Sequence, residues 1–143
     1  MTRRQMLAGI AGTPLIGAAR KPNVIFVLTD DHGDWSMGAY GCPDFHTPNL
    51  DRLAAQGARF TRSYVSTPVC SPSRMTFMTG KLPSGHGVQG VLLHEQWWGP
   101  GRKRFLDGHL TYTQVLARNG YTLGMCGKWH MGDDGTPQAG FTY

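Results

Sequence analysis

The sequence is poor in charge and has no strongly charged region. Charged residues make up 16% of the 143 positions, and the only basic run is Arg102-Lys103-Arg104. A nucleic-acid-binding protein is expected to carry a clustered basic stripe with interleaved aromatic residues. We therefore interpret the run as a solvated loop and expect no nucleic-acid partner. The 14 basic residues against 9 acidic ones suit anionic ligands without specifying any.

Cysteine is also scarce. The chain has three, Cys42, Cys70 and Cys126, and no two lie near one another, so the paired spacing typical of a zinc site is absent. In an exported protein this odd number means that at least one is free, modified or bonded outside the chain. We interpret Cys42 and Cys126 as small buried side chains, although the sequence does not exclude a disulfide between them.

The chain lacks an apolar run of the ~20 residues that a membrane-spanning helix needs. Its N-terminus reads T-R-R-Q-M-L, and a modest apolar stretch from Met6 to Ile16 leads into the small residues 17–19. A paired arginine, a short apolar segment and a small-residue end are typical of a twin-arginine export signal, the alternative being a poorly ordered arm. We predict a signal over residues 1–19, a periplasmic or secreted protein, and no stable membrane anchor.

Strand and helix patterns alternate along the rest of the chain, without an internal repeat or a low-complexity tract. The predicted strands are 23–29, 58–65 and 121–126, and the predicted helices are 47–57, 72–79 and 111–119. The first strand, N-V-I-F-V-L-T, is continuously apolar, as in a parallel sheet covered on both faces. The alternation predicts an α/β fold with a mostly parallel sheet flanked by helices. Residues 81–108 show no clear period and predict a long surface excursion.

Residues at the helix boundaries support these predictions. Thr47 is a predicted N-cap, followed by Pro48 at the first helical position. In the next helix Ser71 is a predicted cap and Gly80 a predicted stop, so Cys70 would lie just before a helix N-terminus.

Two carboxylates, Asp30 and Asp31, directly follow the first predicted strand. Holding two like charges together is costly unless a cation lies between them, and a hard divalent metal is the natural cation. The alternative is a solvated turn that caps the next segment. Ligands of open α/β sheets gather at the carboxyl ends of strands, which favours a metal site. His32 is interpreted as a neighbour of this site rather than as a ligand.

The stretch V-C-S-P-S-R, residues 69–74, is ambiguous when taken alone. The free N–H groups of a helix start favour an anion or a thiolate, so Cys70 could be a nucleophile. The general base that usually accompanies a thiolate nucleophile is not identifiable nearby. Arg74 lies one turn further along and faces the same way.

A resemblance to a known family resolves this ambiguity. C-S-P-S-R followed by M-T-F-M-T-G-K resembles the sulfatase signature Cys-x-Pro-Ser-Arg with its downstream Thr-Gly and basic residue. The D-D pair, T-P-N-L-D-R-L-A-A-Q-G, T-G-K-L-P, T-Y-T-Q-V-L-A-R-N-G-Y and G-K-W-H-M-G follow the family's order over residues 21–143. The sequence is similar to the N-terminal portion of a type I, formylglycine-dependent sulfatase of the alkaline-phosphatase-like superfamily.

The resemblance implies that Cys70 is oxidised to formylglycine by a formylglycine-generating enzyme. A hydrated aldehyde offers one hydroxyl as nucleophile and keeps the second to expel sulfate after the alcohol has left. The implied metal is calcium, with magnesium as the alternative, and its implied ligands in this chain are Asp30, Asp31 and the modified Cys70. Metal coordination would polarise the sulfuryl oxygens of a sulfate ester substrate.

Three further residues match catalytic positions of the family. The resemblance makes Arg74 a partner of the formylglycine diol, while Lys128 and His130 contact sulfate or the diol. Without the G-K-W-H context, Lys128 would be interpreted as a solvated loop lysine and His130 as a hydrogen-bonded turn histidine. Trp97 and Trp98 could form an aromatic wall, but packing of the 81–108 segment onto the domain is the favoured interpretation. The other histidines (His46, His86, His94 and His109) show no spacing that suggests a shared metal.

Sulfatases are considerably longer than this chain, so we expect residues 20–143 to be the N-terminal part of the catalytic domain. The family's later Asp-Asn or Asp-Gln pair and additional His and Lys residues are not in the sequence, and we expect the 143 residues alone to be inactive. The predicted function is hydrolysis of sulfuric esters, arylsulfatase-like in type. The alternatives are a phosphoester or phosphonate hydrolase of the same superfamily and a non-catalytic anion-binding remnant.

Overall fold

The computed structural model describes residues 20–143, and the chain divides into two units, Met1–Asp31 and His32–Tyr143. The predicted export signal, residues 1–19, lies outside the described residues. In the first unit, residues 20–29 form neither helix nor strand, and the chain bends at Asp30 and Asp31. Asp31 has a left-handed backbone, with φ at 52°.

The predicted strand 23–29 is not formed in the described part of the first unit. The side chains of Val24, Ile25, Phe26 and Val27 are between 54% and 88% exposed. A strand of this kind requires a hydrogen-bonded neighbouring strand and other elements that cover its apolar faces. An apolar run in the sequence does not show which segments would provide them.

The other two predicted strands, 58–65 and 121–126, are not formed either. Within residues 20–143 the one β-bridge is antiparallel and joins Arg104 to Gly132. Segment 121–126 makes two backbone hydrogen bonds to the last residues of the chain, from Met125 N to Tyr143 O at 3.1 Å and from Thr142 N to Leu123 O at 3.0 Å. The parallel sheet of the predicted α/β fold therefore stays a prediction.

The regular elements of the second unit are helices joined by turns and irregular segments, and all three predicted helices are confirmed. We number its α-helices α1 Pro48–Gln56, α2 Cys70–Thr79, α3 Pro83–His86, α4 His94–Trp97 and α5 Tyr112–Arg118. Two short 3-10 helices, Asp34–Ser36 and Gly38–Tyr40, precede them. No helix among residues 20–143 has the length and apolarity to cross a bilayer.

Helix α1 begins at Pro48, as predicted, but Thr47 does not cap it with its side chain. The Thr47 hydroxyl instead accepts a hydrogen bond from Gly38 N at 2.9 Å and donates one to Asp51 Oδ1 at 2.9 Å. Asp51 Oδ1 also accepts from Ala39 N at 2.7 Å. These bonds fasten α1 to the 3-10 helix before it, because the Thr47 hydroxyl and the Asp51 carboxylate each accept a backbone N–H of that helix.

Helix α2 begins two residues earlier than predicted, at Cys70, and Ser71 lies inside it rather than at its cap. The predicted stop is confirmed: Gly80 has φ at 67°, and its N–H donates to Thr76 O at 2.8 Å. A residue without Cβ adopts this left-handed conformation without strain, which is why helices so often end at glycine.

The buried apolar core of the second unit is formed largely by α2 and by the segment that follows it. Its members are Met75, Met78, Val88, Leu92, Leu106, Trp129 and Met131. Most of residues 81–108 are exposed, as expected of a surface excursion, but Val88, Leu92 and Leu106 are each at least 94% buried and anchor the segment in the core. Periodicity does not reveal these buried residues, because each lies in a turn or irregular segment and none belongs to a regularly spaced apolar pattern.

The three cysteines are free thiols. Cys42 and Cys70 are half-buried, whereas Cys126 is exposed. The interpretation of Cys126 as a buried side chain is therefore wrong. Segment 121–126 does not form the predicted strand, and the side chain of Cys126 is in contact with solvent.

His86 joins α3 to α2 and predicts a pH dependence of stability. Its Nδ1 accepts a hydrogen bond from Val88 N at 3.2 Å, and its Nε2 lies 3.2 Å from the Thr76 hydroxyl. Burial lowers the pKa of His86 from its ordinary value of 6.5, and the nearby His109 acts in the same direction. Below the ordinary value the unfolded state binds more protons than the folded state, so stability should fall as pH falls from about 6.5 towards the folded pKa.

The measurement is denaturant unfolding of wild type and of His86→Gln at about pH 7.5 and about pH 5.5, on either side of the unperturbed histidine value. Wild type should lose more unfolding free energy on acidification than the variant does. His46→Gln, which removes an exposed histidine, is the matched control and should behave like wild type. Equal losses in wild type and His86→Gln would refute the prediction.

Candidate functional site

The first turn of α2 carries the residues that the sequence singles out. Val69 is extended, with φ at −136° and ψ at 138°, and its carbonyl accepts the first helical hydrogen bond from Ser73 N at 3.0 Å. Cys70 is the first helical residue and is half-buried, while Ser71 and Pro72 are fully buried. The free N–H groups and the dipole of a helix start favour a negative charge at this end.

Arg74 lies one turn after Cys70 and is 92% buried. Its guanidinium NH1 donates a hydrogen bond to the carbonyl of Lys128 at 2.8 Å, across 54 positions of the sequence. A buried guanidinium requires hydrogen-bond acceptors, and the one that Lys128 O supplies joins the Gly127-to-His130 loop to α2.

A second connection runs through the backbone of Leu92. The Ser71 hydroxyl accepts a hydrogen bond from Leu92 N at 3.1 Å, and His130 Nε2 lies 3.2 Å from Leu92 O. One buried residue of the 81–108 segment therefore contacts both the neighbour of Cys70 and the predicted catalytic histidine.

His130 has an unusual conformation. Its φ is 52°, in the left-handed region that few residues other than glycine adopt, although histidine is among those enriched there. Its Nδ1 is buried and has no hydrogen-bond partner among the described residues. Strained backbone and unpartnered buried nitrogens are costly, and such features are concentrated at functional sites.

Lys128 and His130 line the same cavity, which has a volume of about 580 Å³. Aromatic side chains form much of its wall, with Trp97, Phe141 and Tyr143 among them. Cys70 and Arg74 are not part of the lining that the described residues form. The structure thus brings Lys128 and His130 together, joins Arg74 to their loop through a hydrogen bond, and places Cys70 at the start of the helix that carries Arg74.

The predicted metal ligands Asp30 and Asp31 belong to the first unit, where both are exposed. Within residues 20–143, no cluster of three or more histidine, cysteine, aspartate or glutamate side chains is arranged to hold a metal ion. The chemistry of the two adjacent carboxylates suits a hard divalent cation and supplies part of its oxygen shell. The ligand set Asp30, Asp31 and Cys70 stays a prediction.

Two residues of the site have roles that sequence reasoning missed. The sequence predicts Ser71 as a helix cap, but its hydroxyl accepts a hydrogen bond from Leu92 N instead. Nothing in the sequence marks Leu92 as a residue of the site, because it makes its contacts through its backbone N and O, which do not depend on its side chain. Trp97 packs against the core, as the favoured interpretation predicts, and it also lines the cavity, so the aromatic-wall alternative stays open for it; Trp98 is 57% exposed.

Comparison with known proteins gives one consistent result. The sulfatase family model matches residues 22–143. Human arylsulfatase A is 43% identical over 131 residues, which cover 91% of this chain and 24% of that protein. Human steryl-sulfatase is 38% identical over 120 residues, covering 80% of this chain and 20% of that protein.

A solved structure agrees with the sequence relatives. The structure of BT4656 in complex with its substrate D-glucosamine-2-N,6-O-disulfate is 35% identical, with a TM-score of 0.67, over 86% of this chain and 22% of that one. This chain thus spans at most about a quarter of the length of these proteins. Because the family model covers most of the chain and the fold matches the corresponding part of a solved relative, the chain belongs to the sulfatases of the alkaline-phosphatase-like superfamily.

Proposed function

We propose that the protein hydrolyses sulfuric esters, with Cys70, Arg74, Lys128 and His130 as its catalytic residues in this chain. The observation that supports the proposal most directly is the hydrogen bond from buried Arg74 to the Lys128 carbonyl. It links the C-S-P-S-R signature to the G-K-W-H loop, and the two motifs belong to the same family pattern.

The charges of these residues suit the transfer of a sulfuryl group. Negative charge on the transferring group and on the leaving oxygen must be met by fixed cations and hydrogen-bond donors, which often provide the largest part of the lowering of such barriers. Arg74 is held rigidly by burial and by its bond to Lys128 O. The Lys128 side chain is exposed at the cavity and can meet an anionic ester that enters it.

Cys70 is proposed to act after its conversion to formylglycine, whose hydrated form supplies one hydroxyl to attack sulfur and a second to expel sulfate. The implied calcium or magnesium ion, when bound, would polarise the sulfuryl oxygens. Asp30 and Asp31 would hold it through hard oxygen ligands and would need further ligands to complete its shell.

The broader assignments are proposals of the same kind. Residues 20–143 would be the N-terminal part of a catalytic domain, and residues 1–19 a twin-arginine signal for a periplasmic or secreted enzyme. The substrate would be a sulfate ester of the kind that arylsulfatases cleave. Sulfatases act on aryl, steryl and sugar sulfates, as the names of the relatives show, and the described residues do not select one of these alcohols.

The test is mass spectrometry of the protein expressed from its complete reading frame together with a formylglycine-generating enzyme. Trypsin should release residues 63–74, and Cys70 in that peptide should have lost hydrogen sulfide and gained an oxygen. Cys42 and Cys126 lack the x-Pro-x-Arg context and serve as controls that should remain thiols.

The same preparation should be assayed on matched aryl sulfate and aryl phosphate esters. Turnover of the sulfate in preference to the phosphate supports the proposal. Preference for the phosphate would favour the phosphoester hydrolase of the same superfamily. A Cys70 that stays a thiol, together with no turnover of either ester, would refute the proposed catalytic mechanism.

A further inference from the structure

The hydrogen bond of His130 determines which of its ring nitrogens carries a proton. A backbone carbonyl can only accept, so the contact of 3.2 Å between Nε2 and Leu92 O requires a hydrogen on Nε2. In the neutral ring Nδ1 then has a lone pair, and this nitrogen is buried without a hydrogen-bond partner. The neutral ring can therefore accept a hydrogen at Nδ1 but cannot donate one there.

Trp97 packs against the same ring. The rings of Trp97 and His130 are nearly perpendicular, at 85°, with their centroids 6.2 Å apart, a preferred geometry for aromatic pairs. Trp97 also makes an edge contact with His94, with centroids 4.9 Å apart. The contact between the Trp97 and His130 rings limits how His130 can rotate.

Hydrogen bonds hold the turn between Leu92 and Trp97 in place. Leu93 and Gln96 hold each other through two hydrogen bonds, Leu93 N to Gln96 Oε1 at 2.8 Å and Gln96 N to Leu93 O at 2.9 Å. Gln96 O also accepts from Lys103 N at 2.8 Å. Because these bonds hold the turn, the Leu92 carbonyl and the Trp97 ring keep their positions relative to each other, and His130 contacts both.

We propose that Trp97 is a positioning residue: with the Leu92 carbonyl it holds His130 in the Nε2–H tautomer and reserves Nδ1 for the reacting group. This inference rests on the proposed function and refines it. A bare lone pair attracts a hydroxyl hydrogen and repels an anionic sulfate oxygen, so the neutral ring at His130 is suited to a hydroxyl of the nucleophile. The strained φ of 52° at His130 is consistent with a side chain whose orientation is fixed by function.

The experiment is nitrogen-15 NMR of the complete protein labelled at histidine, with His130→Gln used to assign the His130 signals. In wild type, Nδ1 should give the signal of an unprotonated ring nitrogen and Nε2 that of a protonated one. Trp97→Ala should mix the two tautomers. It should also lower kcat on an aryl sulfate by about tenfold to a hundredfold, the cost of a misplaced catalytic group, with KM changed much less.

Two variants separate positioning from general damage. Trp97→Phe keeps an aromatic ring in place and should retain the wild-type tautomer and most of kcat. Trp98→Ala removes an equally large but 57% exposed neighbour and should leave both readouts unchanged. A loss in Trp98→Ala as large as that in Trp97→Ala would overturn the assignment to Trp97.

The tautomer measurement does not depend on activity. An Nδ1–H ring in wild type overturns the inference, and so does Trp97→Ala with an unchanged tautomer and an unchanged kcat. If Trp97→Ala does not fold, Trp97→Leu takes its place, because it removes the ring but keeps apolar bulk; it should show the same mixed tautomers and the same loss of kcat, and a wild-type tautomer and kcat in Trp97→Leu would overturn the assignment. Absence of sulfate ester turnover in wild type would refute the proposed function, whereas the tautomer would still report on how His130 is held.

Discussion

Replacing Cys70 by serine is expected to lower sulfate ester turnover by a factor on the order of 10⁴ or more, the scale of loss when a covalent nucleophile is disabled. A serine hydroxyl can attack sulfur and release the alcohol, but the esterified serine has no second hydroxyl to expel the sulfate. The reaction should therefore stop after one event. We expect the peptide of residues 63–74 to carry a sulfuryl group and the released alcohol not to exceed one equivalent per enzyme.

Two variants serve as comparisons for that result. Cys70→Ala has no nucleophile and should be both inactive and unmodified. Cys42→Ser makes the same chemical change at another half-buried thiol and should keep wild-type turnover. If Cys70→Ser turned over sulfate esters at the wild-type rate, a single hydroxyl would suffice and the formylglycine route would be wrong.

Replacing Gly132 by alanine is expected to destabilise the protein by more than about 3 kcal/mol, in the range of severe single substitutions. An added Cβ would lie 1.9 Å from Lys103 O, and φ at this position is 97°. The carbonyl cannot easily move away, because it accepts a hydrogen bond from Asp133 N at 2.7 Å and lies beside the bridge to Arg104. Denaturant unfolding of wild type and variant would measure the loss.

Gly108→Ala separates the steric clash from the backbone strain. Gly108 has φ at 81°, but nothing lies within 4 Å of an added Cβ. It should therefore lose only about 1–2 kcal/mol, the cost of a left-handed conformation for a residue with a Cβ. If Gly132→Ala and Gly108→Ala lose the same unfolding free energy, the clash with Lys103 O contributes nothing and the prediction is wrong.

The helices could be predicted from the sequence because their signals are local. Thr111 and Gln114 form the reciprocal cap of α5, with Gln114 N donating to Thr111 Oγ1 at 3.1 Å and Thr111 N donating to Gln114 Oε1 at 3.0 Å. Pro48 and Gly80 mark the start of α1 and the end of α2 in the same local way. The start of α2 was misplaced because the Ser71 hydroxyl had a distant partner, Leu92 N, that no local pattern reveals.

The predicted strands show the opposite case. An apolar run such as 23–29 indicates that its side chains favour cover, but strand formation depends on which distant segment offers the hydrogen-bonding edge. The residues of the site differ in the same way. Cys70 and Arg74 follow from one motif, whereas the contacts of His130 with Leu92 and Trp97 join segments more than 30 positions apart and depend on the folded core.

The burial of the signature in α2 has a consequence for the biosynthesis of the protein. Ser71 and Pro72 are fully buried and Arg74 nearly so, so a maturation enzyme could not read this motif on the folded chain. If Cys70 is oxidised as proposed, the oxidation has to come before folding, while the motif is still accessible as an extended peptide.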